Sequence, residues 1–247
     1  MSAAIGLLAA QVLAAHVAPA MAADMPRTLP PPGMPLPTVE RSQPRYFDTG
    51  WYLRGDVGYA WGRIDSARSA PPFTDPTDNK FGNAVTGGVG AGIKTKWLRT
   101  DITFDYMAEA KYQGTVAAPN DVTAKISNWS VLFNGYLDLG TWYRLSPYIG
   151  AGAGAAMVRV TEYASTASPP FVSGLSNNKW NFAWAAMAGV GYQLSPNTIV
   201  DIGYRYLNFG DAKSAADSFG AMTFKNLAAH EVRVGLRWSF DDLPSAR

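Results

Sequence analysis

The chain has no cysteine in its 247 residues. Thiolate metal sites, disulfide frameworks and cysteine nucleophiles are excluded at once. Histidine is nearly absent. Of the two present, His16 falls in an N-terminal apolar run, which leaves His230 alone. A Ser/His triad, or a barrel protease built on acidic pairs plus His, has one imidazole to work with. That residue has Val232 where a serine partner two positions along would stand, so it reads as an interfacial imidazole. Charge is also scarce, at 16% of residues, where soluble domains average about 25%. The net charge of +2 is small, and Lys and Arg are scattered, which gives no case for nucleic acid. A helical membrane span is missing as well. Residues 180–200 carry no charge, but Asn181, Gln193, Pro196 and Asn197 confine the apolar part to 182–192. That is too short for a helix and long enough for a tilted strand.

Aromatics make up 13% of the chain, glycine occurs 24 times and apolar residues reach 47%, while mean hydropathy is close to zero. A charge-poor chain of ordinary hydropathy suits strands with one apolar and one polar face. At the N-terminus, residues 3–22 are an Ala-rich apolar run ending in Ala20-Met21-Ala22. This fits a secretory signal over 1–22, with a membrane anchor as the alternative. No Lys or Arg precedes the run, so translation is expected to start upstream of Met1. Residues 23–49 follow as a linker; seven of the 17 prolines lie in 25–45. Such a segment is extended and builds no core.

From Gly50 the pattern alternates with period two. Trp51, Leu53, Val57, Tyr59 and Trp61 share a face opposite Tyr52, Arg54, Asp56 and Gly58. Further strands are predicted near 83–94, 97–107, 124–139, 147–161, 179–194, 197–209 and 227–240. In the fifth, PYIGAGAGAAMVRVT, both faces are small or apolar and the facing stays open. Links near 94–97, 140–146 and 195–197 are short. Those near 62–82, 108–123, 162–178 and 210–226 are long and polar. The expectation is an all-β fold: an eight-stranded, up-and-down antiparallel transmembrane β-barrel over 50–240. Short periplasmic turns alternate with longer outer loops, and 241–247 form a periplasmic tail. A soluble sandwich or lipocalin-like barrel also alternates. The aromatics near strand ends, Trp51, Trp61, Trp180, Tyr192, Tyr206 and Trp238, favour a membrane wall with interfacial girdles.

Five segments, in this order, carry a family resemblance: the AMAADMP end of the signal, GWYLRGDVGYAWG, PYIGAGAGAA, VDIGYRYLNFG and HEVRVGLRWSF. The chain resembles the small outer-membrane β-barrel proteins of alpha-proteobacteria, porin-like and opacity-type, related in architecture to the OmpA group. The resemblance implies secretion by the general route, the cell outer membrane, and a role in envelope structure or surface interaction. It also implies that Val232, Val234, Leu236, Trp238 and Phe240 form the terminal strand read by the barrel-assembly machinery. The family's usual strand ends on its aromatic, whereas Asp241–Arg247 follow here.

The polar face holds the candidate site. Arg54, Lys94, Arg99, Arg205, Arg233 and Arg237 stand against Asp56, Asp101, Asp105, Asp138, Asp201 and Glu231, all on positions of the inward phase. An eight-stranded barrel has an interior that side chains can fill, so a balanced lattice there reads as a plug rather than a filter. Gly150–Ala155 formally match a dinucleotide loop but have no following helix or acid. Asp75–Asn79 lack the spacing of a calcium loop, and Asn128-Trp129-Ser130 is a glycosylation sequon inside a strand. No catalytic, metal or cofactor site is expected. Expected partners are outer-membrane lipid, lipopolysaccharide, the assembly machinery and an unspecified surface ligand. A non-enzymatic structural or surface barrel is the leading function, with a narrow passive pore for small solutes as the alternative.

Overall fold

Every described secondary-structure element is a strand. The computed structural model describes residues 49–69, 75–115, 121–165, 171–173, 177–214 and 223–240. The predicted signal, the linker up to Asp48 and the tail 241–247 lie outside them. The strands are β1 (Thr49–Arg63), β2 (Ser66–Arg68), β3 (Thr77–Phe81), β4 (Asn83–Thr95), β5 (Leu98–Thr115) and β6 (Asp121–Asp138), then β7 (Leu145–Ser165), β8 (Phe171–Ser173), β9 (Asn177–Ser195), β10 (Thr198–Lys213) and β11 (Thr223–Phe240).

Eight long strands, β1, β4, β5, β6, β7, β9, β10 and β11, pair antiparallel in that order. β1 then pairs with β11 from Trp51↔Phe240 to Arg63↔Ala228, which closes the wall. Closure leaves no edge in the ring, so every ladder is satisfied by a neighbour. Lys96-Trp97 and Pro196-Asn197 each join two strands with two residues. At the same end, Trp142 and Leu145 exchange backbone hydrogen bonds of 2.8 Å across the third tight connection.

At the opposite end the strands run further than alternation alone predicts. β5 continues to Thr115, β6 begins at Asp121, β7 reaches Ser165 and β11 begins at Thr223. Three short strands form from segments that read as loops: β2 pairs with β11, β3 with β5 and β8 with β7. Bulges explain why the pattern was lost. Register shifts fall between Met107 and Ala110, between Thr123 and Lys125, and between Asn208 and Ala212. Each extra residue breaks the two-residue period without ending the strand.

Facing divides the wall into two zones. Between the tight turns and a ring through Trp61, Tyr106, Trp129, Trp180 and Tyr206, the outside is apolar. Val57, Val89, Phe133 and Phe182 are each at least 60% exposed. On β5 this belt runs from Leu98 to Tyr106, nine residues, which matches the roughly 9–11 residues of a membrane-crossing strand. An apolar belt around a closed wall is the surface of a protein whose solvent is hydrocarbon. Inside the belt, Asp56, Lys94, Arg99, Asp101, Asp105, Asp201, Arg205, Glu231, Arg233 and Arg237 are buried.

Beyond the ring the facing inverts. Glu109, Lys111, Gln113, Thr123 and Arg159 are exposed outside, while Tyr112, Val122, Ile126, Val160, Phe209, Phe224 and Leu227 are buried inside. The upper wall is therefore built like a small soluble barrel, with a core that includes an edge-on contact of Tyr112 and Phe224 at 5 Å scale (4.8 Å between centroids). β7 settles its own ambiguity. Ala151, Ala153 and Ala155 face out, and Gly150, Gly152 and Gly154 lie against Tyr136, Asn134 and the β6 backbone.

Candidate functional site

The lumen site starts from the inward phase of six strands. β1 supplies Arg54 and Asp56, β4 Lys94, β5 Arg99, Asp101 and Asp105, β6 Asp138, β10 Asp201 and Arg205, and β11 Glu231, Arg233 and Arg237. The structure brings all twelve into one layer on the tight-turn side. Each has an oppositely charged partner.

Asp138 joins Lys94 at 2.7 Å and Arg99 at 2.8 Å. Arg54 reaches Asp56 and Asp101, each at 3.1 Å. Arg233 bridges Asp56 and Asp105. Arg205 donates to Asp105 at 3.0 Å and to Glu231 at 2.8 Å. Arg237 grips Asp201 through two nitrogens, Nη2 lying 2.8 Å from Oδ1. Charge-assisted bonds of this kind are about twice as strong as neutral ones.

Neutral groups complete the layer. Asp101 accepts from Tyr52 Oη at 2.9 Å and from Asn134 Nδ2 at 2.8 Å. Arg54 donates to Tyr136 Oη at 2.8 Å. The Arg99 guanidinium lies 4.7 Å from the ring centres of both Tyr136 and Tyr148, which suits a cation–π contact. Alternation puts Tyr52, Asn134 and Tyr136 on the polar side of their strands, but the candidate site read from sequence holds only the charged residues. A signal for the neutral groups exists: bulky inward side chains sit across from glycines on adjacent strands. A Cβ on Gly189 would lie 2.6 Å from Tyr148 Oη, and one on Gly88 would collide with Asp105 Oδ1. Glycine there makes room for the neighbour.

Little space remains. A cavity of about 20 Å³ lies among Arg54, Tyr136, Tyr148, Asp201 and Arg205, about the volume that one water needs. Among the described residues, Glu231 Oε1, Arg233 Nε and Arg99 Nη2 have no hydrogen-bond partner. Above this layer the apolar interior begins.

His230 lies on the outer face in the ring of aromatics. Its Nδ1 is 2.5 Å from Tyr204 Oη, and the Tyr206 ring packs edge-on at 5.2 Å. Trp61 faces it in the closing ladder. Among the described residues, no group of three His, Asp or Glu side chains is placed to hold a metal ion. Val232, Val234, Leu236, Trp238 and Phe240 all point outward from β11 into the apolar belt.

Residues 3–240 match the model of the outer membrane protein beta-barrel domain. An uncharacterized protein of Brucella suis is 31% identical over 242 residues, covering 77% of this chain and 85% of the relative. A candidate adhesin of Rickettsia conorii is 26% identical over 209 residues, covering 76% and 81%. The crystal structure of Neisserial surface protein A aligns over 77% of this chain and 97% of its own, at 21% identity and a TM-score of 0.49. With a closed eight-stranded wall, an apolar belt and a family match along nearly its whole length, the chain belongs to the outer membrane protein beta-barrel family and resides in the cell outer membrane.

Proposed function

We propose that this is a non-enzymatic barrel with a closed lumen that works through its wall and outer surface, in envelope integrity and surface interaction. One observation carries the proposal: six cations and six anions in the lumen pair with one another and balance in charge. An eight-stranded interior is about one side-chain layer wide, and paired charges fill it. The apolar interior above adds a second barrier, since an ion crossing it would lose its hydration without compensation. The candidate adhesins among the relatives support a surface role. Export through the secretory signal, and recognition of β11 by the assembly machinery, belong to the same proposal.

Planar-bilayer recording of the refolded protein tests it. The expected trace has no stable unitary conductance. Large, steady channels of uniform size would replace the closed lumen with the passive pore.

A further inference from the structure

The upper wall carries cations that the lumen does not use. Lys111 on β5 and Lys125 on β6 are direct cross-strand partners in the antiparallel ladder. Like charges placed opposite one another destabilise a sheet; Glu162 and Glu109, at 2.7 and 3.7 Å, offset Lys125, and an anion bridging the two lysines would relieve the remainder. Both lie on the outer face, which is also where Arg159 stands on β7. Arg159 pairs with Ser127, two residues from the Trp129↔Met157 pair of the aromatic ring. It therefore stands about two strand residues, roughly 7 Å, beyond the hydrocarbon boundary, at the level of lipid headgroups.

Lys111, Gln113, Thr123, Lys125 and Glu162 surround a cleft of about 410 Å³ floored by Ala124. That volume falls within the usual range of small-molecule sites, roughly 300–1,000 Å³. Glu162 has φ of 49°, a left-handed conformation at the bulge where β7 slips against β6. This turn of the backbone sets its carboxylate 2.7 Å from Lys125 Nζ. Lys125 keeps further N–H donors for a ligand, and Glu162, Gln113 and Thr123 offer groups suited to sugar hydroxyls.

We propose that this cleft, with Arg159 beneath it, binds the phosphorylated saccharide headgroup of an outer-leaflet glycolipid. The inference rests on the reading of the chain as a barrel that acts through its outer surface. The height of the cations decides the source: they stand where the headgroups of the surrounding leaflet must lie, and a soluble polyanion would have to reach past those headgroups.

The test uses tagged, refolded full-length protein mixed with purified lipopolysaccharide in mild detergent, and measures captured glycolipid against its concentration. Lys111→Gln, Lys125→Gln and Arg159→Gln should each weaken retention roughly fivefold, the usual worth of one cation at an anionic membrane surface. Lys125→Arg should retain binding, and Lys96→Gln, in a tight turn at the other end, should not change it. A heat-dependent gel shift verifies that each variant is folded. Equal retention by wild type and all three Gln variants would overturn the proposal. Equal retention of chemically dephosphorylated lipopolysaccharide would do so too, as would full displacement by inorganic phosphate or heparin. A wild-type protein that conducts ions yet retains the glycolipid through these three residues would sink the closed lumen and leave the cleft standing.

Discussion

Arg233 touches more of the lumen than Arg237, yet Arg237 should matter more to stability. Arg237 and Asp201 form a closed pair, both nearly fully buried, and among the described residues Asp201 has no other ion-pair partner. Replacing Arg237 with Ala leaves a buried carboxylate with no direct ion-pair partner, only the more distant fields of Arg54 and Arg99. Removing one member of a buried pair costs about 3–5 kcal/mol. Arg233 serves Asp56 and Asp105, but Asp56 keeps Arg54 at 3.1 Å and Asp105 keeps Arg205 at 3.0 Å. Arg233→Ala thus removes bonds without stranding a charge, and should cost about 1.5–3 kcal/mol, the worth of a hydrogen bond to a charged group. Denaturant unfolding from vesicles, followed by tryptophan fluorescence, gives both numbers. Adding Asp201→Asn to Arg237→Ala should recover part of the loss, because the stranded charge is gone. A larger cost for Arg233→Ala, or no recovery in the double variant, would refute the reasoning.

Other expectations follow from the same geometry. Gly150→Ala should destabilise by about 1–3 kcal/mol through overpacking, because its Cβ would strike Tyr136; Gly135→Ala, with open space around it, should be neutral in the same unfolding assay. Phe224→Ala should cost about 3–5 kcal/mol as a core truncation. Conductance should stay low in Arg233→Ala/Arg237→Ala, where the apolar layer remains, and rise only when Phe209→Ala and Phe224→Ala are added; early opening by the arginine pair alone would show that the upper layer seals nothing. Cysteines at Phe182 or Val234 should report lipid to an environment-sensitive label, and one at Thr123 should react with an impermeant reagent on intact cells. Reaction at Thr123 only after the outer membrane is opened would invert the orientation.

Alternation was a sufficient guide to the fold where one solvent applies to each face. From Trp51 to Trp61, and from Leu98 to Tyr106, each position faces as its neighbours two residues away imply. The inward phase of the twelve charges could be read for the same reason. Two things could not. The facing of β7 depends on where Tyr136 and Asn134 need room, which is a property of its neighbour β6. The upper wall was hidden because its polar residues face out and its apolar residues face in, the reverse of the segment below. Bulges sit where the two schemes meet: on β5 the two-residue alternation of 108–115 continues, but the facing slips by one residue at 108–109, so the apolar positions turn from outward to inward. Ser176 and Asp217, natural choices for surface labels from sequence, lie outside the described residues.

The inversion at the aromatic ring has a mechanical consequence: it fixes how deep the molecule rides. Sinking would drag Arg159, Lys125 and Lys111 into hydrocarbon, where a lipid-facing cation costs up to about 2–4 kcal/mol at the midplane. Rising would lift Phe182, Val57 and Val89 into water, at about 25 cal/mol for each Å² of apolar surface exposed. Both displacements are uphill, so the wall carries its own waterline, set by the spacing between Leu98 and Tyr106. In a thicker bilayer the protein cannot settle the mismatch by sliding, and the lipid must thin around it.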